Sequence, residues 1–512
     1  MDALPAKAPL FFYCYPKNNP YFEALISRAI KHNLKHYPEA RHIIYPIYGI
    51  KVYSSLKSRF PRWLKFTTSF LSYLHGESQL KRNAKESARK WLTAQEIKQI
   101  EFVGFTQWAQ ALLKACTFWP KSNGYYLSQN NDDFISNFRL NRIRAGDLIC
   151  DTYLRYKGMP MIDMNHWFFK DIIWRSKAIE KLCQDYFTNQ DSIFYFGSYS
   201  TYIDHGISLR SVCQTKKHVA VTFGSLNPSY VIHRDLESGI LPSHKGYHHK
   251  YSLQKAKELP KTTIDDAEYS LKKRLNAIYD DSMTYMRRSG IYKEGTNQSA
   301  NGKYILMLHD FFDSPHIYQW LLFPDFWTWA YETLDFCAEN NIPVLVKPHP
   351  NQLPENEEVI ETLQRVFKKY KFIHWISKDI HNSSLFKQAP QLIISGYGSV
   401  AAEATYCGIP VLLAGDHPGI NFDVAKVPRS KQEYFNYLSD PSKVKAGNAS
   451  DAILFTALHH KESFTKNNNY SIIKSLGLNS TSFSSSYALY CSTKSIKIID
   501  KMVADLMPEM SQ

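Results

Sequence analysis

The chain has 512 residues, of which 44% are hydrophobic, and it carries a net charge of +15. This length exceeds that of one ordinary core, so we expect at least two domains. No run of 18 apolar residues occurs, which argues against a membrane-spanning helix. The positive charge favours an anionic partner. Because the sequence has no basic tail, zinc-finger spacing or RNP-type motif, we do not expect that partner to be nucleic acid.

The eight cysteines are dispersed along the chain, and no two of them form a C-x-x-C pair. This pattern is typical of reduced, buried thiols rather than of a disulfide framework or a zinc site. The first 16 residues lack the basic start, long apolar run and cleavage site of a signal peptide. We therefore expect a cytoplasmic protein.

The first half of the chain alternates strand and helix patterns, which is typical of a parallel α/β domain. The predicted strands are 10–15, 42–48, 100–105, 192–197 and 218–223, and the clearest helices are 20–33, 107–118 and 168–187.

A basic amphipathic segment, 55–75, interrupts this alternation. Its cations Lys57, Arg59, Arg62 and Lys65 lie among aromatic and aliphatic residues at helical spacing. Such a stretch can lie on an anionic membrane leaflet. It can equally be a helix that packs on the domain and exposes its basic side to solvent.

The second half predicts a doubly wound sheet. Its strands are 304–310, 342–348, 371–377, 391–396 and 409–415, with a helical pattern between most of them. Since both halves are α/β, we expect two facing Rossmann-like domains with a cleft between them. The predicted domains are an acceptor-side domain at 1–300, a nucleotide-sugar-binding domain at 301–490, and a C-terminal helix at 491–512 that packs on the first domain.

The stretch from Ser395 to Gly408 joins a strand to a helix through a glycine-containing turn. Gly396 and Gly398 allow the backbone to approach a ligand, and a helix N-terminus attracts a phosphate. The hydroxyls of Ser395 and Ser399 add donors, although Ser399 is also a good N-cap. Glu403 is placed either to contact a ribose or to stabilise the first turn of the helix.

Two further segments follow strands in the second half. In Lys347-Pro348-His349-Pro350 the prolines restrict the backbone around one histidine, which can bind a nucleotide phosphate. The segment from His309 to His316 contains Asp313 and ends near the same predicted sheet edge. Ligands of such sheets bind beyond the carboxyl ends of the strands.

These motifs resemble those of the GT-B glycosyltransferases of bacterial capsule and O-antigen synthesis, especially the capsule polysaccharide biosynthesis proteins that include 3-deoxy-manno-octulosonic acid (Kdo) transferases. CDP-glycerol polymer transferases and several bacterial sialyltransferases share the His-Pro pair and the downstream serine. The resemblance covers 303–425 and reaches the first half only in patches. In those relatives the His-Pro pair and the serine contact the phosphate and cytidine of the donor. The resemblance implies these roles for His349, Pro350 and Ser399, with Ser395 beside them and a GT-B-like fold.

The first half supplies the candidates for a catalytic base. The segments Gly146–Arg155 and Tyr202–Arg210 resemble runs found in surface-carbohydrate proteins. Transfer to a hydroxyl requires a base. Asp204, Asp151 and His205 are the candidates, and each is alternatively a helix cap or a first-turn residue.

The sequence has no D-x-D triplet and no P-loop, so we expect neither a metal nor a cofactor. We predict a metal-independent glycosyltransferase that uses a nucleotide sugar, CMP-linked as in CMP-Kdo or CMP-sialic acid. The acceptor is then a capsule or surface polysaccharide or its lipid-linked primer. Two alternatives stay open: a polyol phosphotransferase that uses CDP-glycerol or CDP-ribitol, and a non-catalytic subunit of glycan assembly. Further expected partners are the anionic inner face of the plasma membrane and other polysaccharide-assembly proteins.

Overall fold

The computed structural model describes most of the chain. The described residues are 8–16, 20–47, 78–93, 96–97, 100–116, 130–215, 217–223, 230–233, 241–242, 249–276, 298–350, 352–458, 500 and 503–504. The basic segment 55–75 lies outside them, as does most of the predicted C-terminal helix 491–512.

The chain forms two compact units. The first comprises Met1–Lys157, Asp163–Gly246 and Asn469–Gln512, and the second comprises Gly158–Ile162 and Tyr247–Asn468. Residues 249–276 and 298–300, which the sequence assigned to the first domain, therefore belong with the second unit. The physical reason is packing, because Arg274 forms an ion pair with Glu403 and Ala256 lies in a hydrophobic cluster with Ala402.

The first unit is built on a six-stranded sheet in the order β3-β2-β1-β6-β7-β8, in which only the β7–β8 pair is antiparallel. Strands β4 and β5, each two residues long, form a separate antiparallel hairpin. The strands are β1 (Leu10–Pro16), β2 (Arg41–Ile47), β3 (Glu101–Phe102), β4 (Arg139–Leu140), β5 (Ile143–Arg144), β6 (Ile193–Gly197), β7 (His218–Phe223) and β8 (Tyr230–His233).

The helices of the first unit connect and cover these strands. They are α1 (Pro20–His36), α2 (78–93), α3 (Phe105–Cys116), α4 (Asn131–Asn137), α5 (Gly146–Lys157), α6 (Trp167–Phe187) and α7 (Tyr202–Val212). From the C-terminal region, Val503 is buried in the core of this unit and Asp500 pairs with Arg28.

The second unit contains five parallel strands in the order β11-β10-β9-β12-β13. The strands are β9 (Tyr304–Met307), β10 (Val344–Lys347), β11 (Ile373–Trp375), β12 (Leu392–Ser395) and β13 (Val411–Leu413). Its helices are α8 (His249–Lys257), α9 (Lys261–Leu275), α10 (Phe326–Glu339), α11 (Asn356–Phe367), α12 (Asn382–Phe386), α13 (Val400–Tyr406), α14 (Lys431–Ser439) and α15 (Ala449–Thr456).

Both faces of this second sheet are covered, as a parallel sheet requires. Alternate residues of each strand point to opposite faces. Val344 and Val346 pack in one apolar cluster with α10 and α11, whereas Leu345 packs in a second cluster with α12 and α13. The α/β class and the doubly wound arrangement predicted from the sequence are confirmed.

Strand order fixes where each sheet is expected to bind a ligand. In the second unit the chain runs outward from β9 to β11 and then returns to the other side of β9 with β12. In the first unit the same reversal separates β1 from β6. A crevice forms at the carboxyl ends of the two strands that flank such a switch point. Among the described residues, no helix has both the length and the apolar character needed to cross a membrane.

Candidate functional site

At the switch point of the second unit, one imidazole connects the segment after β9 to the turn after β12. The Nε2 atom of His309, after β9, lies 3.1 Å from the hydroxyl oxygen of Ser395 and accepts the N–H of Tyr397 at 3.3 Å. The Ser395 oxygen itself accepts the N–H of Gly398 at 3.3 Å. Because an N–H can donate only to an unprotonated nitrogen, the His309 proton belongs on Nδ1 and Ser395 donates to Nε2.

The surroundings of His309 keep it neutral. Its ring stacks on Phe326 at 4.5 Å between centroids and on His349 at 6.4 Å. Burial lowers the pKa of His309 to about 3, and the neighbouring His349, which also titrates, acts in the same direction. An imidazole that is neutral at physiological pH is the form that the hydrogen bond from Tyr397 requires.

The turn after β12 differs from the phosphate cradle that its glycines predicted. The amides of Tyr397 and Gly398 are bound by His309 and Ser395, so a ligand cannot use them in this arrangement. A Cβ at Gly396 would lie 3.0 Å from Phe326 and 3.1 Å from His309, and one at Gly398 would lie 2.9 Å from the Ser395 oxygen. Close packing of the protein on itself therefore explains both glycines.

Lys347 is the most unusual charged residue of the site. It ends β10, in register with Met307, which is itself in register with Ser395, so the three lie on one face of the sheet. The residue is only 3% exposed, and its ammonium group makes no hydrogen bond or ion pair with any described residue. Burial lowers its pKa to about 8, although Glu403 and Asp379 act in the opposite direction.

His349 lies two residues beyond this lysine on a braced loop. Asp310 accepts hydrogen bonds from the Leu353 amide at 2.8 Å and from the Asn356 side chain at 2.9 Å. Asn356 in turn accepts the amide of Phe311 at 2.8 Å. These bonds tie the loop after β9 to the loop that carries His349.

The charge state of His349 is set by burial and by its neighbours. Burial lowers its pKa and Lys347 lowers it further, while Asp310 and Asp313 raise it. Asp313 is exposed and accepts the amide of Ser314. Pro350 is half-buried beside His349. A neutral imidazole here is suited to donate one hydrogen bond to a phosphate oxygen.

Ser399 and Glu403 lie in different environments. Ser399 precedes α13, is exposed, and makes no side-chain capping bond, so its hydroxyl is available to a ligand. Glu403 is 8% exposed, forms an ion pair with Arg274 at 2.9 Å and accepts the Asn382 amide at 3.2 Å. Much of the hydrogen-bonding capacity of this carboxylate is thus used within the protein.

The three candidates for the base lie in the first unit and differ in accessibility. Asp204 is half-buried in the first turn of α7, which follows β6 at the switch point of that sheet. Asp151 is only 1% exposed in the interior of α5. The two helices are joined where the Thr152 hydroxyl accepts the Ile203 amide at 3.0 Å.

His205 is held by a neighbouring hydroxyl. Its Nδ1 lies 3.2 Å from the oxygen of Ser198, and burial lowers the pKa of the ring to about 4. The adjacent Tyr202 has a φ of 60°, a rare conformation for an aromatic residue. Backbone strain of this type often occurs at functional sites.

The sequence singled out the segment from His309 to His316 because it follows a strand, but only Asp313 in it was predicted as a binding residue. The structuring roles of His309 and Asp310 within that segment were not predicted. Asn356 and Arg274 were not predicted at all, because their roles depend on partners that are distant in the sequence. Among the residues that the structure describes, no group of three or more His, Cys, Asp or Glu side chains is arranged to hold a metal ion.

No protein-family model matches this sequence. No curated protein matches it either. Among solved structures, KpsC from Thermosulfurimonas dismutans, titled a beta Kdo 2,4 transferase, is 15% identical, with a TM-score of 0.34 over 53% of this chain and 80% of its own. UDP-GlcNAc 2-epimerase from Neisseria meningitidis is 11% identical, with a TM-score of 0.24 over 90% and 100% of the two chains. A glycosyltransferase from Rickettsia africae is 11% identical, with a TM-score of 0.23 over 93% and 100%. Because these TM-scores are below 0.5, we base the fold class on the strand order and directions given above.

Proposed function

We propose that this protein is a GT-B-type glycosyltransferase that takes a sugar from a cytidine nucleotide, such as CMP-Kdo or CMP-sialic acid. The acceptor is a capsule or surface polysaccharide or its lipid-linked primer. The second unit binds the donor, and the first unit supplies the base.

The observation that carries this proposal is the side chain of Lys347, which is 3% exposed and makes no hydrogen bond or ion pair with a described residue. Burying a charge without a partner costs several kcal/mol, so such a group is retained where it binds something. Lys347 ends a parallel strand beside the switch point, where such sheets bind their ligands. An anion bound at this edge would pair with the ammonium group of Lys347, and nucleotide phosphates bind at the corresponding edge of such folds.

The neighbouring groups suit a phosphate rather than a carboxylate alone. His349 provides a neutral imidazole donor, and Ser399 provides an exposed hydroxyl without a capping role. The His349-Pro350 pair and Ser399 also match the positions that contact phosphate and cytidine in the family that this sequence resembles. This match is what favours a cytidine nucleotide over a uridine or guanosine nucleotide.

In the proposed reaction the bond between the anomeric carbon and the donor phosphate oxygen breaks. A new bond forms between that carbon and an acceptor hydroxyl, whose proton passes to a carboxylate. Lys347 and the donors of His349 and Ser399 stabilise the negative charge on the departing nucleotide, without a metal ion. We assign the proton to Asp204, because Asp151 is almost fully buried.

The test is calorimetric binding of CMP, CDP, UDP and GDP to the wild-type protein and to His349→Ala. We expect selective binding of the cytidine nucleotides and a loss of about tenfold or more in His349→Ala, equivalent to ~1.4 kcal/mol. His374→Ala is the matched control, because His374 lies within β11 in the same sheet. Tighter binding of UDP or GDP would refute the cytidine donor. No binding of any nucleotide would leave a non-catalytic subunit as the better description.

A product assay separates glycosyl transfer from transfer of a polyol phosphate. Glycosyl transfer releases CMP and leaves no phosphate in the product, whereas transfer from CDP-glycerol or CDP-ribitol adds one phosphate per residue. Turnover that persists after chelation with EDTA supports the metal-independent route, and turnover that requires an added divalent cation refutes it.

A further inference from the structure

Helix α2 presents a basic face that has no acidic partners among the described residues. The face consists of Arg82, Lys85, Arg89 and Lys90, of which three are exposed and Lys85 is half-buried. None of the four forms an ion pair with a described residue. Glu86, which is exposed, is the one acidic residue between Arg82 and Lys90 on this helix. Elsewhere in the same unit, surface cations do pair with acids, as Arg41 does with Glu101 and Lys114 with Asp185.

The opposite side of α2 fixes this face rigidly on the unit. Ala88, Trp91 and Leu92 pack in the hydrophobic core, and Ala84 is buried as well. Lys81 is buried as well, with its ammonium group 4.6 Å from the ring centres of both Tyr45 and Trp108. The cations of the basic face are therefore presented by a helix that cannot rotate to find other partners.

The cations are also crowded. Lys85 and Arg89 both lie over the ring of Phe102, at 5.3 and 5.7 Å from its centre. The pKa of Lys85 is lowered, first by burial and then by the charge of Arg89. Like charges gathered in this way repel one another, and an anionic surface relieves the repulsion.

We propose that the basic face of α2 docks on an anionic phospholipid membrane. Arg82 and Arg89 are seven residues apart on one face, which places them about 10 Å apart along the helix axis. A row of separated cations at this spacing fits the diffuse negative charge of a bilayer better than a single compact anion. Nucleic acid is disfavoured, because bases stack on exposed aromatic rings and Phe102 is covered by Lys85 and Arg89.

The test is co-sedimentation of the full chain with vesicles of phosphatidylcholine alone or mixed with about one third phosphatidylglycerol. The variant is Arg82→Gln/Arg89→Gln/Lys90→Gln, in which glutamine preserves helix propensity. Each cation near an anionic bilayer is worth roughly fivefold in binding, so we expect the variant to bind about a hundredfold more weakly. The matched control is Lys368→Gln/Lys369→Gln/Lys371→Gln, which removes three exposed cations from the second unit and so changes the net charge equally.

Three results would overturn the proposal. They are wild-type binding by the α2 variant at an unchanged thermal midpoint, equal binding to vesicles that lack phosphatidylglycerol, and an equal loss of binding in the control. The wild type could instead bind a single-stranded oligonucleotide more tightly than vesicles and lose that binding in the α2 variant. This result would identify a nucleic acid, not a membrane, as the partner of the basic face. Vesicle binding requires no turnover, so its failure would leave the proposed transferase activity untouched.

Discussion

The Nε2 atom of His309 lies 3.1 Å from the Ser395 hydroxyl oxygen, so a residue that follows β9 holds the turn that follows β12. The same nitrogen accepts the amide of Tyr397, while Ser395 accepts that of Gly398. The turn is thereby shaped by the protein before any ligand binds. This geometry leaves Ser399, just beyond the turn, as the exposed hydroxyl.

His309→Phe is expected to weaken this arrangement. Phenylalanine preserves the ring stack on Phe326 but removes the acceptor for Tyr397 and Ser395. An unsatisfied buried donor costs about 1–3 kcal/mol, so we expect the free energy of unfolding to fall by about 2 kcal/mol. Urea denaturation at neutral pH measures the change. His374→Phe, on the edge strand β11, should change stability much less, and an equal loss in both variants would contradict the role given to His309.

The low pKa of His309 predicts a specific acid dependence. Its value is about 3 in the folded protein and about 6.5 in the unfolded chain, so between these pH values the unfolded chain binds more protons. Stability must therefore fall as the pH is lowered through this window, by up to about 3 kcal/mol near pH 4. His309→Phe should show a shallower acid decline than the wild type, measured by urea denaturation as a function of pH. His205 contributes equally to both proteins and cancels in the comparison.

Lys347→Met should raise the free energy of unfolding and lower the affinity for the nucleotide ligand. Burial lowers the pKa of Lys347 from 10.5 to about 8, which means that the folded state disfavours the charged form. The wild type should thus gain stability as the pH rises from 8 to 10.5. At pH 7 the substitution should add up to about 3 kcal/mol, since 2.5 pKa units correspond to about 1.4 kcal/mol each.

The same variant tests the phosphate role of Lys347. We expect CMP affinity to fall about tenfold or more in Lys347→Met, and wild-type affinity to decline as the pH rises beyond the pKa of this group. Lys378→Met is the control, because that lysine is partly exposed and pairs with Glu357 at 3.4 Å. A stabilised variant with unchanged affinity would show that the buried charge serves no ligand.

Glu403 and Arg274 should behave as a coupled pair. Removing one member of a buried ion pair leaves the other uncompensated, so Glu403→Gln should cost about 3 kcal/mol of stability. In Arg274→Met/Glu403→Gln much of this loss should be restored, and a double-mutant cycle measures the coupling. The exposed Glu357→Gln provides the control. A change in nucleotide affinity without loss of stability would instead support a contact between Glu403 and the ribose.

Asp204→Asn and Asp151→Asn should fail in different ways. We expect Asp204→Asn to fold normally and to lose about a hundredfold or more in turnover, as removal of a general base does. Asp151→Asn alters a buried group inside α5, so its main effect should be a lower free energy of unfolding. Transfer assays and denaturation of both variants distinguish these outcomes. Full turnover in Asp204→Asn would remove this residue from the mechanism.

Regular strand and helix alternation predicted the second unit closely. The predicted helix 325–340 is α10 at Phe326–Glu339, and each of the five predicted strands is present. The strands are shorter than predicted, because the polar residues that follow them belong to the binding loops. In the first unit, the antiparallel strand β8 and the β4–β5 hairpin were not predicted. Short strands of this kind depend on a partner strand rather than on a pattern of their own.

The sequence by itself determined the fold class and the placement of His349, Ser395 and Ser399 near the ends of strands. Apolar runs and glycine turns are local signals, and parallel topology then places the ends of those strands along one edge. Only the tertiary structure decided which groups are free there. In the tertiary structure the amides of Tyr397 and Gly398 donate hydrogen bonds to His309 and Ser395, and Glu403 forms an ion pair with Arg274. Lys347 is buried and has no partner among the described residues. The physical reason is that such contacts join residues far apart in the chain, as His309 and Ser395 are at 86 positions, and no local pattern encodes them.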